Sequence, residues 1–536
     1  MSETNEKMDA FNTKAQRRQE QELKAKRERK KTRTIIILVV LVLALLFAGA
    51  MFLNSDYIRQ NVTAITVGGV DFSAVEYDFF FNNTFNEYQE MVWQAVGDFA
   101  PQLLPVAHIP LRNQIQNHET GLTWDEFFHY QTVDQLSRLV LLYNAAAEYG
   151  YVMREEAREA MEEEIETLRT LTEAQLGLSL NNALPRLYGR GMNERIFRRL
   201  LTITFTANSF SDYMFEAFTY TEQELEEFYE ENRDLFDNFY YRHILIRADL
   251  PDEVDFDSWD EYEASREEAL EVARREAERI ASELESEDDF IAMALEQDPE
   301  QFAEPESTLR INPGEWLGGL YGPWMREAGR AYGDTTTGET PLGAFVVFFV
   351  NRDPNEYRMT NMRQILIQQE EVWAMMFEEG EDDPAYQLAV EEAEREATQR
   401  AQNVYDMFIA GGATEELLIE MMQAYSDDWV EGGLYEDISR VAGQNKMVEP
   451  VEDWLFAPNR RVGDHGLVHT VFGYHILFLT EFGPTYREFI ATERMRARDH
   501  EAWLESIGIF PFTAEEEERP IPIEVIWRRG FRFTQH

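Results

Sequence analysis

A six-residue stretch of this chain returns 121 positions later: Tyr241-Arg242-His243-Ile244-Leu245-Ile246 recurs as Met362-Arg363-Gln364-Ile365-Leu366-Ile367. A repeat at that spacing obliges the middle of the chain to build the same unit twice. Each copy opens on a short aliphatic strand followed by an acidic loop. A Glu/Ala/Arg-rich helical stretch comes next, over 261–285 in the first copy and 386–410 in the second. A Gly-Gly-Leu element follows, Gly318-Gly319-Leu320 and Gly432-Gly433-Leu434, and the two elements are expected to be equivalent. Each copy closes on a β-branched and aromatic strand, over 344–350 and 471–479. Strand, helix, turn and closing strand describe a small α+β module, with bounds at 238–353 and 355–483.

The segment before the repeats, 55–237, reads as mostly helical. It starts on a hairpin signal, with Gly68-Gly69 between Ile65-Thr66-Val67 and Val70-Asp71-Phe72, a pair suited to a tight primed turn. Three capping boxes then mark helix starts: Ser73 with Glu76, Thr123 with Glu126, and Thr221 with Glu224. In the first of these helices Tyr77, Phe80, Phe81, Phe85 and Tyr88 fall on one stripe, and Phe79 is expected on the other side. The stripe reads as core or as an apolar cleft for unfolded polypeptide. After the repeats, residues 484–536 predict a helix near 486–507 and a strand-like tail over 521–527.

Residues 35–53 are nineteen positions without a charge, a length that predicts a transmembrane anchor. Residues 1–34 carry eleven Lys/Arg against six Asp/Glu, which predicts a basic cytoplasmic tail and a chain whose bulk lies outside the cytoplasmic membrane. The net charge of the whole chain is −52. A surface so acidic repels phosphate backbones and argues against nucleic-acid binding. Cysteine is absent, so disulfides, thiolate catalysis and Cys-ligated metals are excluded. Six of the seven lysines precede residue 35, and the basic residues after it are arginines apart from Lys446. GC-rich coding accounts for that skew; so does an alkaline or saline medium, where Arg keeps its charge.

Four elements of the second copy, in order, carry a resemblance. Ser426-Asp427-Asp428 is followed by Gly432-Gly433-Leu434, then Met447-Val448-Glu449-Pro450-Val451, then Thr470-Val471-Phe472-Gly473-Tyr474-His475-Ile476. Together they resemble the parvulin family of peptidyl-prolyl isomerases. The order of segments is similar to that of membrane-tethered foldases and SurA-like chaperones of bacterial envelopes. The resemblance implies an α+β chain with one transmembrane helix, a SurA-like helical chaperone domain and two parvulin-like modules. It makes His475, Asp428 and Gln364 the catalytic group, and it implies substrate contacts from Leu434, Met447, Val451, Phe456, Thr470 and Phe472. Gln364 stands where the family has its first histidine, and Val451 where it has a pocket phenylalanine. In the first copy His243 is present but Phe345 replaces the second histidine, so that module reads as non-catalytic or peptide-binding.

The chemistry so implied needs no metal or cofactor. It rotates an X-Pro bond whose barrier is about 18–20 kcal/mol from amide resonance, and an apolar grip on the ring with polar groups at the amide favours the twisted transition state. The expected partners are unfolded or nascent secreted polypeptides. The alternatives are a chaperone or assembly factor without isomerase activity, and a structural ectodomain without clients.

Overall fold

Each of the three capping boxes starts a helix. Ser73, Thr123 and Thr221 accept from the backbone N–H three residues on, while the glutamates at those positions reach back, at the heads of Ala74–Val96, Trp124–Glu148 and Glu222–Phe236. These reciprocal bonds satisfy donors that a helix start otherwise leaves open. They belong to a computed structural model that describes residues 37–47, 51, 56–252, 258–302, 304–369, 384–428, 430–440, 447–510 and 523–528. The fold is α+β, and the chain divides into two units, Met1–Phe218 with Ala497–His536, and Thr219–Arg496.

One expectation is overturned at the outset. Among the described residues no helix is long and apolar enough to cross a membrane. Within the expected anchor over 35–53 the described helical residues are 37–47 and Met51. At 1.5 Å per residue the described run 37–47 accounts for about 16 Å, roughly half of a 30 Å hydrocarbon core. The rest of that stretch, apart from Met51, and the basic tail 1–34 lie outside the described residues.

In the first unit the Gly68-Gly69 turn, with φ of 52° and 82°, joins Thr63–Val67 to Val70–Ser73 and sets Val67 opposite Val70. Only glycine takes both angles without strain. Val525–Trp527 adds a third, antiparallel strand to Thr63–Val67, so distant parts of the sequence share one sheet. Beneath it Phe72, Phe128, Ile165 and Phe197 are buried in one core. The aromatic stripe belongs to that core: Tyr77 and Phe81 are buried, and Phe80, Phe85 and Tyr88 pack half-buried against it. Phe79, on the other side of the helix, is buried as well. It lies 5.0 Å from the Tyr188 ring and 6.0 Å from Phe197, because a second layer of helix covers that side.

In the second unit the repeat becomes two four-stranded antiparallel sheets with the same strand order. The first runs Leu309–Pro313, Asn238–Arg247, Gly343–Asp353, Thr335–Thr340; the second runs Leu434–Ile438, Arg358–Ile367, Gly473–Thr485, His465–Thr470. A long helix and a short one cover one face of each: Trp259–Glu283 with Glu287–Gln297, and Pro384–Ala410 with Glu415–Tyr425. The arginine of each repeat clamps the short helix. Arg242 Nε meets Glu287 at 2.8 Å and Arg363 Nε meets Glu415 at 2.7 Å. Both glutamates sit in the first turn, where a carboxylate also complements the helix dipole.

The two Gly-Gly-Leu elements are not equivalent. Gly318-Gly319-Leu320 follows the edge strand Leu309–Pro313, whereas Gly432-Gly433 precedes the edge strand Leu434–Ile438. By register, Leu309 opposite Arg242 matches Leu434 opposite Arg363. The closing strand of the second module also starts later than expected, at Gly473. Val471 and Phe472 form the turn before it, 92% and 57% exposed.

Candidate active site

Period-two alternation decides which side chains of the second sheet meet. His475 pairs with Leu366, Leu477 with Gln364, and Thr470 with Gly473. These pairs put His475, Gln364 and Thr470 on the face opposite the helices. Ile365, Ile367, Ile476 and Phe478 point the other way, into a core with Val404, Phe408 and Leu418. The site face continues as an apolar cluster of Met362, Leu477, Leu479, Ile438, Val451 and Leu455.

A single hydrogen-bonded run crosses this face. Thr470 Oγ1 lies 2.7 Å from His475 Nε2, and His475 Nδ1 lies 2.8 Å from Gln364 Oε1. Gln364 Nε2 donates to Asp428 Oδ2 at 2.7 Å, and the Tyr435 hydroxyl donates to the same oxygen at 2.8 Å. Asp428 is carried by a short segment docked on the opening strand. Ser426 Oγ accepts from the Leu366 and Asp428 N–H groups, and Asp427 N donates to Leu366 O at 2.7 Å.

Of the residues expected at the site, His475, Gln364, Asp428 and Thr470 are therefore joined directly. Met447, Val451 and Phe456 pack on the apolar cluster beside them. Val451 is buried in its floor, and Phe456 sets its ring edge-on to Tyr357 with centroids 5.4 Å apart. Two do not join. Leu434 pairs with Arg363, one position out of phase with Gln364, and so lies on the helix-covered side; Phe472 stands at the exposed turn. Tyr435, which pairs with Met362, takes the inward place. The sequence signal for it is the alternation itself, legible once the strand is known to start at Leu434.

The first module keeps the geometry and changes the chemistry. His243 pairs with Val347 and Phe345 with Leu245, the same offsets as Gln364 and His475. The His243 ring stacks on Phe345 at 6.2 Å and tilts against Tyr321 at 5.6 Å. Phe239, Tyr241, Leu317, Phe345 and Phe349 fill that face, leaving an aromatic surface where the second module has a polar run.

Burial pushes both histidines down, His475 to about 4 and His243 to about 4. For His475 the Asp428 charge acts against that shift and His469 adds to it; for His243 the Arg310 charge adds to it. An unfolded imidazole titrates near 6.5. Above about 6.5 both states are neutral, and the full stability is present. As pH falls from there toward 4 the unfolded chain takes up a proton that the folded one refuses, so stability is lost. At about 1.4 kcal/mol per unit, each histidine removes roughly 3 kcal/mol across that window. Urea unfolding of the full chain at neutral pH and near pH 4.5 measures the loss. The His475→Gln protein should lose visibly less over the same interval; an equal loss would rule out this origin.

In the first unit a cleft of about 460 Å³ lies between the helix Ala74–Val96 and the segment 105–111, lined by Phe81, Phe85, Val106, Ile109 and Leu111 with Asn82 at its side.

The chain matches no protein-family model and no curated protein sequence. Among solved structures it is similar to PrsA from Bacillus subtilis at 12% identity and a TM-score of 0.14, over 53% of this chain and 92% of that one. A likeness of that size carries no conclusion about fold or activity.

Proposed function

We propose that the second module of the Thr219–Arg496 unit binds X-Pro segments and catalyses their cis/trans isomerisation, as part of a chain that assists the folding of other polypeptides. The observation that carries this reading is the juxtaposition of a largely buried polar run with an apolar floor on one sheet face. The reaction breaks no bond. It requires an apolar surface to hold the prolyl ring while the amide loses its resonance, and polar groups that hydrogen-bond better to the twisted amide than to the planar one. Met447 and Phe456, half-buried at the edge of the cluster, supply the ring contact. His475 and Thr470 supply the polar contact, and a neutral imidazole can serve because no proton is transferred. The first module, with Phe345 in the place of the histidine, binds without catalysing.

A second reading has its own support. His475 is only 5% exposed, and its two nitrogens are already engaged, an arrangement that also suits a rigid scaffold for a holding chaperone. Exposed apolar side chains on the first unit, among them Met91, Trp93, Phe99 and Leu103, offer unfolded segments a place to rest.

Exchange of a proline-containing peptide, followed by NMR with the full chain, separates the two. Under the isomerase reading the parent accelerates exchange, and His475→Ala lowers kcat/KM roughly tenfold or more, the worth of one hydrogen bond of about 1.4 kcal/mol. Spontaneous exchange rates together with suppressed aggregation of an unfolded protein would transfer the assignment to the holding chaperone.

A further inference from the structure

The direction of every proton in the polar run follows from one charge. A carboxylate only accepts hydrogen bonds, so Asp428 Oδ2 obliges Gln364 to present its amide nitrogen, which it does at 2.7 Å. The amide oxygen of Gln364 is thereby turned to His475 Nδ1 at 2.8 Å. A carbonyl oxygen also only accepts, so Nδ1 carries the proton. The lone pair of Nε2 is then free to accept from the Thr470 hydroxyl at 2.7 Å. That hydroxyl oxygen in turn accepts from the Phe472 N–H at 3.1 Å. Thr470 Oγ1 also lies 3.4 Å from the Gly473 carbonyl oxygen, a longer alternative for its proton. With His475 neutral, the opposite tautomer would set the Nδ1 lone pair against the Gln364 carbonyl oxygen, so only the Nδ1–H form satisfies that contact.

The anchor of this order is itself held from three sides. The Tyr435 hydroxyl donates to Asp428 Oδ2 at 2.8 Å, the Val430 N–H donates to Oδ1 at 3.2 Å, and the Asp428 N–H is tied to Ser426 Oγ at 3.1 Å. With Oδ2 shared between Gln364 and Tyr435, the carboxylate is occupied by its own chain rather than turned toward a ligand.

We infer that Asp428 and Tyr435 are positioning residues that act through Gln364 to hold His475 as the neutral Nδ1–H tautomer and to commit the Thr470 hydroxyl to Nε2. Titratable glutamine does not exist, so the link between carboxylate and imidazole cannot carry a proton, and the run sets geometry without relaying charge. The other two imidazoles on the strand pair take no part in the run: His469 stacks on Tyr474 with centroids 4.4 Å apart, and His465 Nδ1 lies 3.0 Å from the Tyr405 hydroxyl on the helix-covered side. The inference rests on the isomerase reading only for its catalytic consequence; the proton order stands on geometry.

The test is the nitrogen spectrum of the full chain labelled at histidine, taken near neutral pH, with His475→Gln identifying the His475 signals. The expected parent spectrum shows a single neutral tautomer with the proton on Nδ1. Asp428→Asn offers Gln364 an amide that can donate or accept, so both tautomers should appear in comparable populations. Tyr435→Phe keeps the charge but removes one of its holds, so Nδ1–H stays the major form while the second form becomes visible. A parent with the proton on Nε2, or an Asp428→Asn protein with the parent spectrum, overturns the inference. A Tyr435→Phe spectrum identical to the parent removes Tyr435 from it. The outcome is separable from the functional reading: an intact Nδ1–H tautomer in a protein without X-Pro activity sinks the isomerase assignment alone.

Discussion

Replacing Gly473 by alanine should destabilise the second module by about 3 kcal/mol or more. The residue sits at φ 119°, outside the range that side chains with a Cβ adopt readily. Its surroundings make matters worse, since a Cβ there would lie 2.3 Å from the Ile367 carbonyl oxygen and 3.0 Å from the Gln368 Cα. Both are backbone atoms at the end of the neighbouring strand Arg358–Ile367, so relief requires moving the main chain itself. The first module repeats the device at Gly343, where φ is 148° and a Cβ would stand 2.0 Å from the Ile246 oxygen. Gly463 supplies the control: φ is 88° but nothing lies within 4 Å, so alanine there costs only backbone strain of about 1–2 kcal/mol. Amide exchange of peptides covering Arg358–Ile367 in the full chain reports the difference. Equal protection in the Gly473→Ala and Gly463→Ala proteins would show that the close approach has no energetic weight.

Asp237→Ala should cost a similar amount, about 3–5 kcal/mol, by a different mechanism. The carboxylate is 0% exposed. It accepts from the Tyr229 hydroxyl at 2.8 Å and from Arg352 Nε at 2.5 Å, with Arg233 at 3.5 Å. Here the end of helix Glu222–Phe236 passes into the strand Asn238–Arg247 and meets the end of Gly343–Asp353. Burial and the Asp237 charge hold the Tyr229 phenol well above its usual range, so the tyrosine stays a donor at every working pH. Removing the carboxylate leaves Arg352 with Asp234 at 2.8 Å and the Phe239 ring beneath it, and leaves a half-buried cation short of its inner partner. Asp237→Asn keeps the shape and one acceptor, and should lose only about 1–2 kcal/mol. Denaturant unfolding of the three proteins checks the order; an alanine variant within about 1 kcal/mol of the parent would mean that the pair merely offsets its own desolvation.

Short-range chemistry was legible from the residues. Capping boxes, the Gly68-Gly69 hairpin and the repeated Arg-x-Ile-Leu-Ile strands depend on neighbours a few positions apart, and each forms where its pattern stands. The order of protons in the polar run also needs only the donor and acceptor character of Asp, Gln, His and Thr, once the four are known to touch. What had to come from tertiary structure was phase and partnership. A strand slipped by one position reverses every side chain, and so Leu434 turned away while Tyr435 turned in. Two identical tripeptides, Gly318-Gly319-Leu320 and Gly432-Gly433-Leu434, fell on opposite sides of an edge strand, because a glycine pair marks a turn without saying which strands it joins. Nineteen uncharged residues suggested a membrane span, yet among the described residues no helix is long and apolar enough to be one. Composition and spacing settled which local elements could form. Register, burial and the meeting of residues more than a hundred positions apart settled which side chains face one another, because those depend on free energies summed over the whole packed unit.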